Sequence, residues 1–245
     1  MGNSSSRADG GPASAAAIAP IATVRSCFGG KFGAPRQPGL CPCAWGRLVF
    51  HPPYRSLEAV RGLDGFSHLW LIFGFHETAA QGWHPTVRPP RLGGNRRLGV
   101  FATRSAFRPN PLGLSLVRLE GIDTAAAEGP VLLLGGLDLI DGTPVFDVKP
   151  YLPYAEAPAG AAGGFADEPP PLLPVEVDPA AAAAFSTLPE RARALIREAL
   201  ALDPRPATRQ HEPDRVFGTL LCDHNIRFTI HSGTCHIVGV HSIKP

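Results

Sequence analysis

The stretch ATRSAFRPNPLGLS, residues 102–115, gathers side chains that could bind an anion or a base. Arg104, Arg108 and Asn110 lie in it, no acidic residue does, and prolines and a glycine interrupt regular structure. A guanidinium binds a carboxylate or a phosphate through paired hydrogen bonds, and an amide can both donate and accept. The stretch therefore predicts a bend that faces an anionic ligand.

Two other stretches place polar side chains next to chain-breaking residues or at the end of a strand. KFGAPRQPG, residues 31–39, presents Arg36 and Gln37 on a backbone that prolines restrict, and an ordinary exposed turn is the alternative. FSHLWLIFGFHET, residues 66–78, is an apolar run that ends in His76 and Glu77. These two residues are candidates for the rim of a pocket, whereas His68 is more typical of a histidine inside a strand.

Acidic and aromatic residues follow one another in DLIDGTPVFDVKPYLPY, residues 138–154. Asp141-Gly142 predicts a tight turn that Thr143-Pro144 continues. A carboxylate there could accept hydrogen bonds from a ribose or an amine, and a tyrosine could stack on a base. A hairpin turn with charged flanks is the alternative. The remaining charged and aromatic residues of the stretch are Asp138, Asp147, Lys149, Tyr151 and Tyr154.

Arginines accumulate in residues 85–118, where no aspartate or glutamate occurs, although the formal net charge of the chain is only +2. Such a basic block is typical of a surface that meets nucleic acid or a phosphorylated ligand. A solvated surface of an arginine-rich protein is the alternative. The arginines of this block are Arg88, Arg91, Arg96, Arg97, Arg104, Arg108 and Arg118.

The sequence lacks the motifs of several classes of enzyme. The chain has no P-loop, no strand–GxGxxG–helix unit, no HExxH and no GxSxG. Its five cysteines include no CxxC pair, so we expect reduced thiols and no metal site. No apolar run approaches the ~20 residues that span a bilayer, and the N-terminal stretch lacks a signal-peptide pattern. We therefore expect a cytoplasmic protein that does not associate with a membrane.

Short apolar runs separated by proline and glycine predict a mainly β protein, either an antiparallel barrel or a sandwich. No helical pattern alternates with these runs, which disfavours βαβ winding. The seven predicted strands cover residues 21–26, 46–51, 67–76, 98–104, 114–122, 131–140 and 144–152.

Composition divides the chain into a disordered tail (1–17), a β domain (18–155), a linker or loop rich in Ala, Pro and Gly (156–176) and a small α+β domain (177–245). The last unit contains a predicted amphipathic helix in residues 187–204, with Thr187 as its N-cap and Glu190 completing a capping box. Predicted strands follow at 215–222, 225–230 and 235–243.

Five stretches, in this order and spacing, give the chain a specific resemblance. They resemble the tRNA threonylcarbamoyladenosine N6-methyltransferase family, also called TsaA-like or TrmO. The five are KFGAPRQPG, AVRGLDGFSHLWLIFGFH, WHPTVRPPRLGGNRRLGVFATRSAFRPNPLGLSLV, LDLIDGTPVFDVKPYLPY and DPRPATR. The resemblance runs from about residue 21 to the C-terminus and is densest up to residue 154. It implies an antiparallel β-barrel followed by a small C-terminal domain that binds tRNA, and a homodimer with its cofactor near the subunit interface.

The reaction that the resemblance implies is methylation of N6 of threonylcarbamoyladenosine, next to the anticodon of a threonine tRNA, by S-adenosylmethionine. Glu77 departs from the glutamine of close relatives, and a carboxylate cannot donate a hydrogen bond at neutral pH. The cofactor contacts that the resemblance implies are Pro35, Arg36, Gln37, His76, Glu77, Arg104, Leu114, Asp141, Gly142, Thr143 and Pro144.

Methyl transfer from a sulfonium mainly requires that donor and acceptor be positioned and water excluded. An amide next to proline holds the acceptor amine in other amino-methyltransferases, so by analogy Asn110 is the first candidate for this role and Asp147 the second. Tyr151 or Phe107 could stack on the target base. Residues expected to contact tRNA are Arg88, Arg91, Arg96, Arg97, Arg108, Lys149, Tyr151, Arg205, Arg209 and Arg227.

Two other functions remain open on the sequence. A non-catalytic RNA-binding barrel would use the arginines for tRNA and would ignore S-adenosylmethionine. A small-molecule sensor would bind the cofactor without transferring its methyl group.

Overall fold

The computed structural model describes residues 17–206, 209, 212 and 215–243. All but the last residue of the predicted disordered tail, 1–17, lie outside this part of the chain. The strands are β1 Ala22–Ser26, β2 Trp45–Phe50, β3 His68–Gly74, β4 Thr86–Val87, β5 Leu98–Gly99, β6 Leu112–Asp123, β7 Val131–Gly135, β8 Pro144–Pro150, β9 Val175–Val177, β10 Phe217–Leu221, β11 His224–His231 and β12 Thr234–Ser242. The α-helices are α1 Pro153–Glu156, α2 Pro179–Ser186 and α3 Glu190–Ala201.

Six antiparallel strands close a barrel in the order β1-β2-β7-β6-β3-β8. The alternation of β3 shows how the sequence determines the barrel wall: Leu69, Leu71 and Phe73 are buried inside, while His68 and Trp70 face outward and are half-buried. The predicted mainly β architecture, an antiparallel barrel with a small C-terminal α+β unit, is confirmed.

The barrel has one strand fewer than the seven predicted. In the predicted strand 98–104 only Leu98–Gly99 forms a strand, and it pairs with β4 in a separate two-stranded sheet. The chain then makes a 3-10 turn, Val100–Ala102, because the Arg108 guanidinium binds the carbonyls of Val100 and Thr103. The predicted strand 131–140 also ends early, at Gly135, because Gly136 adopts φ +65° and turns the chain across the barrel end.

A second sheet, in the order β10-β11-β12-β9, packs against α2 and α3. Helix α3 buries the apolar face that the sequence predicts, but Thr187 is not its N-cap. Pro189 holds that position, and the Thr187 hydroxyl instead donates to Ala184 O at the end of α2. Strand β9 begins in the last residues of the predicted linker and adds to β12 in parallel.

The loop between β1 and β2 joins the two units. Thr219 Oγ1 of β10 donates to Phe32 O of this loop, and Arg191 of α3 donates to the carbonyls of Cys43 and Ala44. Arg191 also binds Glu120 at the end of β6. The small C-terminal unit therefore fixes the loop that carries Arg36 and Gln37 against the barrel.

Candidate active site

One end of the barrel is crossed by the segment that links β7 to β8, residues 136–143. Gly142 N donates to Val24 O at 2.9 Å and Asp141 N donates to Phe28 O at 2.9 Å. The Asp141 carboxylate accepts from Ser26 N at 2.9 Å. These bonds hold the predicted turn at the end of β1, and Gly142 supplies the φ of +79° that the turn requires. We call this end of the barrel the mouth.

Two predicted cofactor residues from distant parts of the chain meet at the mouth. Arg104 Nη1 donates to Gln37 Oε1 at 2.5 Å, although the two residues are 67 positions apart. The loop that carries Gln37 is tied to the crossing segment, because Gly39 N donates to Gly136 O at 2.8 Å. Pro35 is buried and Arg36 is exposed. A guanidinium and an amide on fixed backbone can together bind a ligand carboxylate.

Asp138 lies beside this pair and accepts a hydrogen bond from Ser115 Oγ at 2.5 Å. Ser115 is fully buried on the inward face of β6. Burial raises the pKa of Asp138 to about 6, against the opposing effects of the Ser115 hydrogen bond, a hydrogen bond from the Asp138 backbone N–H and the Arg104 charge. The mouth thus combines a cation, an amide and a carboxylate that ionises near neutral pH.

The bend of residues 102–115 is held by its own arginine. Arg108 Nη1 donates to Thr103 O at 2.7 Å, and its guanidinium lies 5.7 Å from the centre of the Phe101 ring. Asn110 is exposed, and the carbonyl of the adjacent Pro111 accepts from Phe75 N at 2.8 Å. This bond brings Asn110-Pro111 next to the exposed His76 and Glu77 at the end of β3.

The second catalytic candidate, Asp147, lies on the outer wall of the barrel. Its carboxylate forms an ion pair with Lys149 at 3.2 Å and accepts from Val148 N. Leu114, a predicted cofactor contact, is on the same wall, because Ile72 of β3 pairs with Leu114 on one side and with Asp147 on the other. Leu114 is 52% exposed. In the described part of the chain, the polar partners of Asp147 and Asp138 are different residues.

Tyr151, predicted to stack on a base, packs edge-on against Trp70 with ring centroids 6.1 Å apart. Phe107, the other stacking candidate, packs against His84 with centroids 5.3 Å apart. The two rings therefore belong to different surfaces, the outer wall and the 102–115 bend.

The predicted tRNA-binding arginines differ in their accessibility. Arg91 donates to Glu168 O, so part of its guanidinium is already used. Arg205 is only 7% exposed and binds the Asp203 carboxylate through Nε and Nη2. Arg91 is exposed nonetheless, as are Arg88, Arg96, Arg97, Arg209 and Arg227.

Sequence reasoning gave Asp138 no role of its own and did not identify Ser115. A serine among leucines and valines in β6 predicts nothing by itself, since the apolar run does not show which face is inward. The sequence signal that could have identified the pair is the aspartate three residues before the Asp141-Gly142 turn, in a run otherwise apolar.

The residues that the structure describes contain neither a cluster of metal ligands nor a helix that could cross a membrane. Among the described residues, no group of three or more His, Cys, Asp or Glu side chains is arranged to hold a metal ion. The cysteines of these ranges are unpaired, and burial raises the pKa of Cys27 to about 11. Over the same ranges, no helix combines the length and the apolarity needed to cross a bilayer.

Two family models match the chain. The tRNA-methyltransferase O N-terminal domain matches residues 23–157, and the TrmO C-terminal domain matches residues 170–243. The crystal structure of TrmO from Pseudomonas aeruginosa is 39% identical, with a TM-score of 0.77 over 93% of this chain and 99% of that chain.

Three bacterial methyltransferases are similar to the chain over most of its length. The tRNA (adenine(37)-N6)-methyltransferase of Escherichia coli strain K12 is 48% identical over 215 residues, 86% of this chain and 91% of that protein. The Eikenella corrodens protein of the same name is 53% identical over 73% of this chain and 99% of that protein. A Pseudomonas aeruginosa protein named as an S-adenosylmethionine-dependent methyltransferase is 48% identical over 86% of this chain and 91% of that protein.

Proposed function

This chain belongs to the tRNA-methyltransferase O family, and from that premise we propose that it converts N6-threonylcarbamoyladenosine at tRNA position 37 to its N6-methyl derivative. At the coarser level it is an S-adenosylmethionine-dependent tRNA adenine-N6 methyltransferase, as its relatives are named. The single observation that carries the assignment is a family match that includes both the barrel and the C-terminal unit. We place the reaction in the cytoplasm and take threonine tRNA as the substrate.

The mouth of the barrel supports a cofactor site. S-adenosylmethionine carries a carboxylate on its methionyl part, and Arg104 with Gln37 offers donors to such a group. Arg36 is exposed next to them, and the turn at Asp141 to Pro144 closes the same end of the barrel through backbone bonds to β1. When bound, the cofactor supplies an electrophilic methyl group. The protein holds the cofactor in position and excludes water from the site.

The acceptor amine belongs, in this proposal, near Asn110. This amide is exposed, and its loop is fastened to the end of β3 beside His76 and Glu77. Asp147 is the less suitable of the two catalytic candidates, because Lys149 and the Val148 N–H already contact its carboxylate.

Exposed arginines support tRNA binding. Arg88, Arg96 and Arg97 lie in a stretch without acidic residues, and Arg227 is exposed on the sheet of the C-terminal unit. Phosphate contacts release counterions, so their contribution weakens as salt rises. If these arginines bind the tRNA backbone, affinity must fall steeply between low and moderate salt.

The outer wall of β6, β3 and β8 supports the proposed homodimer. Leu114 is 52% exposed there, next to the half-buried Ile72 and Trp70. A second copy that covers this wall would bury Leu114 and would bring Asp147 close to the partner's surface. Leu114→Glu should therefore lower the mass measured by light scattering from two chains to one, and an unchanged mass would oppose this interface.

The function is tested by measuring cofactor binding and methyl transfer on the same preparation. Calorimetry with S-adenosylmethionine and mass spectrometry of nucleosides from treated tRNA distinguish the three functions. An enzyme binds the cofactor and adds one methyl group to the nucleoside. A non-catalytic RNA-binding barrel gives no calorimetric signal, and a sensor binds the cofactor but leaves every nucleoside unchanged. Either of the last two results would refute the proposal.

A further inference from the structure

Asp138 is a carboxylate without an ionic partner at the mouth of the barrel. One oxygen, Oδ1, accepts from the fully buried Ser115, and within the described ranges no lysine, arginine or histidine forms an ion pair with Asp138. Its neighbour Arg104 is directed to Gln37 instead. Apart from Ser115, the donor to this carboxylate is the backbone N–H of Asp138 itself, so the group keeps the capacity to accept a proton from a ligand.

This arrangement destabilises the ionised carboxylate. Charged groups removed from water are costly unless they are paired, and perturbed carboxylates of this kind concentrate where a protein does chemistry. If Asp138 served only to tie the crossing segment to β6, a neutral side chain that accepts the Ser115 hydroxyl would be enough. An asparagine would then serve equally well, because its carbonyl oxygen also accepts a hydrogen bond.

We propose that Asp138 is the catalytic residue that accepts the N6 proton during methyl transfer, and that Ser115 is the positioning residue that orients its carboxylate. The inference rests on the proposed function, since it assigns the proton acceptor for that reaction. It places Asp138 among the residues expected to hold the cofactor, since Asp138 feels the charge of Arg104 and lies on the same crossing segment as the turn at Asp141.

The proton balance of the reaction requires such a group. As the bond from N6 to the methyl carbon forms, the bond from that carbon to sulfur breaks, and its electron pair stays on sulfur as a neutral thioether. The N6 proton passes to Oδ2 of Asp138, which becomes a neutral acid and later releases the proton to water. The positive charge of the sulfonium is thereby replaced by the released proton.

The acceptor nitrogen explains why a base matters here. The lone pair of N6 in a carbamoylated adenine is delocalised into both the ring and the carbonyl group, so the nitrogen is a weak nucleophile until its proton leaves. Burial raises the pKa of Asp138 to about 6, which suits a base that must be ionised at neutral pH and still hold a proton well.

Neither Asn110 nor Asp147 is suited to replace Asp138 as the proton acceptor. Asn110 is an amide and can hold the N6 amine, but it cannot accept its proton. Asp147 is ion-paired with Lys149 on the outer wall of the barrel. The roles are therefore divided, with Asn110 orienting the amine and Asp138 removing the proton.

The pH dependence of Asp138 is set by few groups. Hydrogen bonds from the Ser115 hydroxyl of β6 and from the backbone N–H of Asp138 itself lower its pKa, and Arg104, on the 102–115 bend, is the charged side chain whose field lowers it further. Asp141 on the same segment is turned to Ser26 N and Arg25. Loss of the Ser115 hydroxyl should therefore move the pKa of Asp138 upward.

The test compares the full chain with Asp138→Asn and Ser115→Ala, and with Asp64→Asn as a control at an exposed aspartate of a 3-10 turn. Single-turnover methyl transfer to tRNA is measured from pH 5 to pH 9, and cofactor affinity is measured by calorimetry. We expect Asp138→Asn to lower the rate by about a hundredfold or more without weakening cofactor binding. In Ser115→Ala, the acid limb of the profile should move to higher pH, which a purely structural serine would not cause.

Three results would overturn the inference. Asp138→Asn could retain the rate of the unsubstituted protein, or it could keep an unchanged acid limb at a lower rate. Its cofactor affinity could also fall in proportion to its rate, which would make Asp138 a cofactor ligand. If instead the unsubstituted protein and Asp64→Asn transfer no methyl group to tRNA, the proposed function itself fails, independently of any Asp138 variant.

Discussion

Replacing Asp138 with asparagine should make the protein more stable at neutral pH, in the same variant that loses activity. The pKa of Asp138 rises from 3.8 to about 6 because the carboxyl group is buried. Its ionised form therefore opposes folding. Asparagine is neutral at every pH and can still accept the Ser115 hydrogen bond, so the substitution removes the penalty and keeps the contact.

The magnitude follows from the shift in pKa. A rise of about 2.2 units, at about 1.36 kcal/mol per unit, gives a penalty of about 3 kcal/mol once the group is fully ionised. Between pH 4 and pH 6 the folded state binds more protons than the unfolded state, so the stability of the unsubstituted protein falls as pH rises through that window. At pH 5 about half of the penalty is present, so about 1.4 kcal/mol should develop between pH 5 and pH 8.

Thermal unfolding at pH 5 and pH 8 measures this difference. At about 2–4 °C per kcal/mol for a chain of this size, the Tm advantage of Asp138→Asn should widen by roughly 3–6 °C from pH 5 to pH 8. The exposed control Asp64→Asn should follow the unsubstituted protein at both pH values. The reasoning is refuted if the advantage of Asp138→Asn is the same at both, or if this variant is the less stable protein at pH 8.

Three further predictions concern binding and packing. Arg104→Ala should weaken S-adenosylmethionine binding by about tenfold or more, as expected for a lost charge-assisted hydrogen bond, and an unchanged Kd by calorimetry would contradict this. The double variant Arg96→Ala/Arg97→Ala should weaken tRNA binding and reduce the slope of log affinity against log salt by about one unit or more, and an unchanged slope would remove both residues from the tRNA surface. Gly113→Ala should lower stability by about 1–3 kcal/mol in urea unfolding, because its methyl group would enter an aromatic ring of β3. Gly99→Ala, which has open space around it, is the control, and equal losses in the two variants would refute the packing argument.

The strands of the barrel were predictable where polar and apolar residues alternate or where an apolar run ends at chain-breaking residues. The strand predicted at 98–104 was wrong because its conformation depends on Arg108, whose guanidinium takes the carbonyls that a sheet would have used. Helix α2 was not predicted because its Ala-rich sequence has no polar face to mark a helical period.

The candidate site was predictable mainly through resemblance to a family. The bend with Arg104 suggested an anion, but nothing in the local sequence pairs Arg104 with Gln37, 67 residues away. The contact between Asp138 and Ser115 was not predictable, because it depends on which face of β6 turns inward and on the path of the crossing segment. These are properties of the closed barrel rather than of either stretch.

The central claim is most directly tested with the purified full chain, S-adenosylmethionine and two preparations of threonine tRNA, one carrying N6-threonylcarbamoyladenosine at position 37 and one with unmodified adenosine there. Mass spectrometry of the digested nucleosides is the measurement. The account predicts that the mass of one methyl group appears on the threonylcarbamoylated nucleoside and on no nucleoside of the unmodified tRNA. Methylation of the unmodified adenosine, or no methylated nucleoside in either preparation, would contradict it.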